Sequence, residues 1–367
     1  MRRALESRDG LTSYAVTSVE DLDLPALLPM LEDAWRASYL HQARQAFDEA
    51  FLRWLLNDEV WVATLLCTSA GPPVGFELSL ERTLYCGEHA FRAYYASLLT
   101  VSPAYRRRGL GRRLLESLHH IVFTERGADL IFSSFHGGHS GLPAVQDTYD
   151  RIPGWGLLCF HTGTVWGRRL TPGSPSTGSP SRLLRAARLV CPAGTDVLIP
   201  VPVPPDRAPA LWAVPSMKAL NESLRMTYGV AFGVDGSFRT QYLSPRADRA
   251  GTFWYENGAA SCAVSFNMTR VVTATRTLGV VGFIQAVHAS GCTPLQLREV
   301  LEHICQFFQR HDCYGATIVD HGVLPHEALY AAGFRPTVDR WTFAVRGPRA
   351  SLEPFAAVAP PYFLDVG

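Results

Sequence analysis

The sequence predicts an α/β (α+β) protein of two tandem domains, each a mixed, mostly antiparallel twisted sheet flanked by helices. Three observations carry that expectation: the length of the chain, one Pro/Gly/Ser-rich stretch near its middle, and an order of apolar patterns that occurs twice. At 367 residues the chain exceeds what one hydrophobic core usually serves and suits two. Hydrophobic residues at 47% and charged residues at 18% describe a folded protein, not a disordered one. A net charge of +1 supplies no global field toward nucleic acid or anionic lipid, so neither is an expected partner.

The divider lies at residues 171–206. It opens with Thr171-Pro172-Gly173-Ser174-Pro175 and closes with Ile199-Pro200-Val201-Pro202-Val203-Pro204-Pro205. Proline and glycine at this density exclude helix and remove strand donors, which reads as a linker. The expected domains are therefore 1–170 and 207–350, with 351–367 as a C-terminal tail.

The two halves share a pattern. Leu31, Trp35, Arg36, Ser38 and Tyr39 recur in spacing and type as Leu220, Leu224, Arg225, Thr227 and Tyr228. Each set lies on an amphipathic helix by its apolar period. After a first strand at 12–16 and this helix, the N-terminal half continues with a short helix at 47–56 and strands at 60–67, 74–80 and 94–101. A helix at 109–123, a buried strand at 130–135 and a last helix–strand unit complete it. The C-terminal half repeats the order with a short helix at 238–243, strands at 251–255, 259–266 and 280–287, a helix at 294–309 and a strand at 316–319. An internal duplication follows, with two unrelated α/β domains as the alternative.

The sharpest local signal is Val101-Ser102-Pro103-Ala104-Tyr105-Arg106-Arg107-Arg108-Gly109-Leu110-Gly111-Arg112. It reads as strand, turn, glycine-rich loop and helix. Pro103 ends the strand because it has no N–H to donate. Gly109 and Gly111 lack Cβ atoms, so a bulky anion can approach their backbone. The helix that follows begins with unpaired N–H groups, which with the helix dipole favour a phosphate or pyrophosphate. Leu110, Leu114 and Leu118 give it a buried face. Neither a dinucleotide Gly-x-Gly-x-x-Gly turn nor a Gly-Lys-(Ser/Thr) phosphate loop is present here.

With Arg106, Gly109 and Gly111 between a long strand and a Leu-rich helix, residues 14–170 resemble the GNAT N-acetyltransferase superfamily, in a tandem bacterial form that the near-exclusive use of Arg over Lys also suggests. The resemblance implies an acetyl-CoA or other acyl-CoA co-substrate. Leu99 and Val101 would offer backbone groups to its pantetheine arm, and Arg106, Arg107, Arg108, Gly109, Leu110, Gly111 and Arg112 would hold its phosphates. It places Tyr149, ahead of Gly154-Trp155, as the acid for the departing thiolate. An amine acceptor must also lose a proton, for which Glu77 and the loop histidines His136 and His139 are candidates.

In the C-terminal half the corresponding turn, Gly291-Cys292-Thr293-Pro294, lacks both the arginines and the glycine pair, although Ala328-Leu329-Tyr330-Ala331-Ala332-Gly333-Phe334 resembles another family element. This half is read as a degenerate copy that walls the acceptor pocket.

The expected function is N-acylation of a small-molecule amine by direct transfer in a ternary complex, plausibly in secondary metabolism, with protein or peptide acceptors still open. Two alternatives stand. Thr100 and His136 suit a malonyl-CoA decarboxylase of the same family, and a non-catalytic CoA-binding scaffold is the third. The eight cysteines form no C-x-x-C pair and meet no histidine at zinc spacing, so no metal and a reduced cytoplasmic setting are expected. The start has no apolar signal core and no stretch reaches the ~20 residues of a membrane helix. A monomer or homodimer fits.

Overall fold

The computed structural model describes residues 2–39, 44–56, 61–137, 141–170, 210–211, 216–235, 238, 242, 250–272 and 277–364. The expected linker at 171–206 lies outside the described residues, as does most of the short helix expected at 238–243. The first half forms strands β1 (Arg2–Arg8) and β2 (Leu11–Val16), helix α1 (Leu24–Tyr39), strand β3 (Arg44–Gln45) and helix α2 (Glu49–Leu55). Strands β4 (Trp61–Thr68), β5 (Pro73–Cys86) and β6 (His89–Val101), helix α3 (Leu110–His119), strand β7 (Leu130–His136), helix α4 (Gly141–Asp150) and strand β8 (Trp155–Arg169) follow. The second half contributes β9 (Ala210–Leu211), α5 (Met217–Thr227), β10 (Val230–Phe232), β11 (Ala250–Asn257), β12 (Ala260–Val272) and β13 (Thr277–Ser290). It ends with α6 (Pro294–Arg310), β14 (Cys313–Val319), α7 (His326–Ala331), β15 (Arg335–Pro348), α8 (Arg349–Ala356) and β16 (Tyr362–Phe363).

Local chemistry accounts for the element ends. Asp48 caps α2 by accepting from the Phe51 N–H, and Ser216 caps α5 by accepting from Ala219 N–H. Asp9 and Gly10 turn the β1–β2 hairpin with φ of 54° and 71°, the left-handed pair that a two-residue hairpin loop requires. Strand β1 is an addition to the expected order. Its charged, mostly exposed sequence carries no apolar alternation, and only the Asp-Gly turn marks it.

All strands join one sheet in the order β1-β2-β4-β5-β6-β7-β15-β8-β14-β13-β12-β11-β9, with β3, β10 and β16 paired off this path. The last strand of each half is exchanged. Strand β15 of the second half pairs with β7 of the first, while β8 of the first half pairs with β14 of the second. The two exchanged strands pair antiparallel at the centre. Read outward from that centre, the order mirrors itself, as expected of a duplicated unit. Smaller strands repeat the exchange: β3 adds to the end of β12, and β10 adds to the end of β5. The largest core cluster accordingly mixes Leu52, Trp54 and Phe132 with Phe232, Phe238 and Tyr242. The expected tail forms α8 and β16, with Tyr362 and Phe363 buried and β16 parallel to β10. Neither half keeps its own sheet closed without the other.

Candidate active site

Strands β6 and β7 run parallel and pair only from Ala93/Leu130 to Ala96/Ser133. Both continue, β6 to Val101 and β7 to His136, so they diverge beyond Ala96. The cause is a bulge in β6. Phe76 faces Thr100 and Leu78 faces Ser97, leaving two β6 residues opposite Glu77 alone. Leu98 takes φ 58° there, an unfavourable conformation for a branched side chain that burial at 8% exposure holds in place. Beyond Ala96 the backbone of β6, Leu99 and Val101 included, has no pairing with β7.

At the end of β6, Pro103–Tyr105 makes one 3-10 turn. Arg107 and Gly109 then take φ of 63° and 74°, and α3 begins at Leu110 with no side chain capping its N–H groups. A Cβ on Gly109 or Gly111 would meet nothing within 4 Å, so the approach to this helix start is open. Leu110 is buried beneath it, and Arg107 and Arg108 are exposed at its rim. Three arginines are engaged elsewhere. Arg106 turns inward, donating to the carbonyls of Val101 (3.2 Å) and Ala34 (2.7 Å) and to Ser38 Oγ (3.0 Å). It ties the loop to α1 and does not point its charge at the open helix start. Arg112 pairs with Glu116 at 2.7 Å, and Arg113 with Glu6 at 3.3 Å.

The wedge opens into a cavity of about 320 Å³. Its lining comes from both halves: Leu99, Glu77 and Tyr39 from the first, Asn267, Thr317 and Arg346 from the second among others. Glu77 on β5 is 1% exposed, and its Oε1 accepts from Arg346 Nη2 at 3.3 Å. Its Oε2 has no partner among the described residues. Burial pushes the carboxyl up to about 7 against the opposing pull of Arg346. A carboxyl titrating there can take a proton from an ammonium group at neutral pH. His136 also lines the cavity, with Nε2 3.5 Å from Asp339 Oδ1 and its ring 5.5 Å from that of Trp341.

Two expected catalytic groups lie elsewhere. Tyr149 is fully buried between α4 and α3, and its hydroxyl meets His119 Nδ1 at 3.4 Å. Burial pushes its hydroxyl up to about 12. It is not among the residues that line the cavity, although Arg346, which is, stands over its ring at 5.3 Å. Thr100 is buried too and is not among the lining residues; its Oγ1 accepts at 3.2 Å from Nε1 of Trp35, which does line the cavity. His139 lies outside the described residues.

The corresponding positions of the second half are closed. Thr293 and Gln296 form a capping box that occupies the first N–H groups of α6. Parallel pairing of β13 with β14 ends at Ile284/Ile318, and the space beyond holds a void of only about 10 Å³, lined by Leu324, Val323 and His321 among others. Arg346, Asn267 and Thr317 are cavity residues that the sequence does not announce. They lie in strands whose apolar run reads as plain core, and only the exchange of strands brings them to Glu77.

Residues 17–145 match the model of the acetyltransferase (GNAT) family. No curated protein matches the sequence. Saccharomyces cerevisiae N-myristoyltransferase, solved with bound myristoyl-CoA and inhibitors, shares the fold at a TM-score of 0.65 and 11% identity over 94% of this chain and 82% of that one. A second structure of that protein, with bound myristoyl-CoA, gives 0.66 and 12% over 94% and 80%. At such identity the likeness is one of fold. Among the described residues no helix is long and apolar enough to cross a membrane, and no group of three His, Cys, Asp or Glu side chains could hold a metal.

Proposed function

Residues 17–145 match the GNAT family, and from that premise we propose that the chain is an N-acyltransferase that moves an acetyl or other acyl group from acyl-CoA to the amine of a small molecule. The observation that carries this reading is the wedge beside β6, which starts at an open helix N-terminus and ends at a buried carboxyl with a free oxygen.

The pyrophosphate of acyl-CoA would rest on the N–H groups at Gly109, Leu110 and Gly111, with Arg107 and Arg108 adding positive charge. Its pantetheine would lie along Leu99 and Val101, and its thioester would reach the cavity. Glu77 Oε2 takes a proton from the acceptor ammonium. The free amine attacks the thioester carbon, the N–C bond forms, the C–S bond breaks, and the extra proton of the new amide nitrogen passes to the departing sulfur, so CoA leaves as the thiol. Both substrates are held at once, so the transfer needs no acyl-enzyme. The cavity is enclosed by both halves and of small-molecule size, which favours a metabolite, in secondary metabolism for instance, over a folded protein acceptor.

Calorimetric titration with acetyl-CoA tests the reading. Saturable binding near one site per chain is expected, with loss of at least about 100-fold in Gly109→Glu, whose carboxylate would stand where the pyrophosphate lies. Gly109 has φ +74°, so Gly109→Ala serves as the control for backbone strain alone. Wild-type binding that survives Gly109→Glu would move the site. Absence of binding would remove the acyltransferase reading.

A further inference from the structure

Asn267, Phe283 and Thr317 are register partners on β12, β13 and β14, so they sit side by side on one face of the sheet. Their neighbours Phe266, Ile284 and Ile318 pack on the opposite face, in the cluster that includes α6. Strand β3 of the first half adds to the same β12 four residues farther on, where Gln45 pairs with Val271. Asn267 is 3% exposed, and it, Thr317 and Gln45 all line the cavity.

Among the described residues, Asn267 Oδ1, Thr317 Oγ1 and Gln45 Nε2 find no hydrogen-bond partner. One is an acceptor, one a donor, and the hydroxyl serves as either. Leaving such atoms unmet in a buried place is costly, and a guest in the cavity would supply their partners. Arg44 and Arg346 each face a carboxyl of the protein, Glu32 at 2.7 Å and Glu77 at 3.3 Å. A carboxylate guest would bring an acceptor to the Asn267 oxygen, itself an acceptor, and an alkyl guest would leave all three atoms unmet.

Resting on the acyltransferase reading above, we propose that the second half recognises the acceptor, and that Asn267, Thr317 and Gln45 bind an uncharged hydrogen-bonding group, a carboxamide or hydroxyl, remote from the acceptor amine. The degenerate copy is then the specificity element of the enzyme. Its sheet supplies two of the three contacts, and the β3 segment of the first half supplies the third.

The test uses three primary amines of one length that differ at the far end: 4-aminobutanamide, 4-aminobutanoate and pentylamine. Acetyl-CoA-dependent release of CoA thiol gives kcat/KM for each with the full chain. The amide is expected to lead both others by about tenfold or more, which one well-placed buried hydrogen bond supplies. Asn267→Leu and the isosteric Thr317→Val should each erase most of that lead through KM, with acetyl-CoA affinity unchanged.

Because the Asn267 oxygen is unpartnered, Asn267→Leu should also leave the thermal midpoint of the ligand-free protein unchanged or raised. A drop of several degrees would mean that Asn267 serves the fold. Equal turnover of the three amines, or an amide lead that survives both variants, overturns the proposal. So does acetyl-CoA binding without turnover or saturable binding of any of the three. Failure of acetyl-CoA itself to bind would instead strike the reading on which the proposal rests.

Discussion

Replacing Glu77 with Gln removes the buried cavity carboxyl and changes almost nothing in shape. Burial moves that carboxyl from its ordinary 4.5 to about 7, in spite of Arg346 3.3 Å away. The displacement corresponds to about 3 kcal/mol of preference for the protonated form in the fold. Two consequences follow. A base that ionises near 7 gives kcat/KM an ascending limb centred there, and Glu77→Gln should abolish the limb and lower kcat by about 10²–10⁴-fold. Affinity for acetyl-CoA should stay within a few-fold, since the phosphate turn is untouched. The second consequence concerns stability. The folded protein holds this proton where the unfolded chain has lost it, so the contribution is complete below pH 4.5 and fades as pH rises through about 7. Between pH 4.5 and 8 the wild type should lose up to about 3 kcal/mol that the Gln variant keeps. Urea unfolding of both proteins at several pH values measures the difference, with the other titrating groups cancelling between them. Thiol release at saturating acetyl-CoA, with the best of a panel of primary amines, supplies the rates. A Gln variant that retained kcat within threefold, or kept the limb near 7, would refute the assignment of Glu77 as base.

Tyr149→Phe should leave kcat within about threefold, because its hydroxyl faces His119 and not the cavity; a loss of the ~100-fold expected for a removed general acid would return Tyr149 to the mechanism. Arg107→Ala and Arg108→Ala should weaken acetyl-CoA binding and flatten its dependence on salt, as exposed charges do. Arg106→Ala should weaken binding by loosening the loop from α1, with the salt dependence retained and Arg106→Lys giving little rescue, since its Nε and Nη2 bonds reach three separate acceptors. Calorimetry at two salt concentrations distinguishes these. Gly282→Ala drives a Cβ into the Phe308 ring and should destabilise the protein by about 1–3 kcal/mol, read from the urea midpoint.

Much of this molecule is legible in the chain. Helices α3 and α6 announce themselves through apolar period and start signals, Gly109 for one and the Thr293–Gln296 box for the other. The turn proposed to hold phosphate is a local device, made of a proline, two glycines and a helix start within a few residues, so its shape needs nothing distant to be recognised. The mirrored strand order has a counterpart in the matching spacings around Leu31 and Leu220. Glu77 is visible as a carboxyl inside an apolar strand, where burial alone makes it unusual. The same local chemistry misleads at Arg106 and Tyr149, whose types suit the family roles but whose side chains close on Ala34 and His119. Direction is a property of packing, and sequence spacing does not carry it. What only the tertiary structure decided is the partnership of the halves. A strand's apolar pattern states that it will be buried and is silent on which edge will bury it, because backbone pairing is the same for every partner. The exchange of β8 and β15 is invisible for that reason, and it alone brings Arg346 to Glu77 and sets Asn267 and Thr317 into the same cavity.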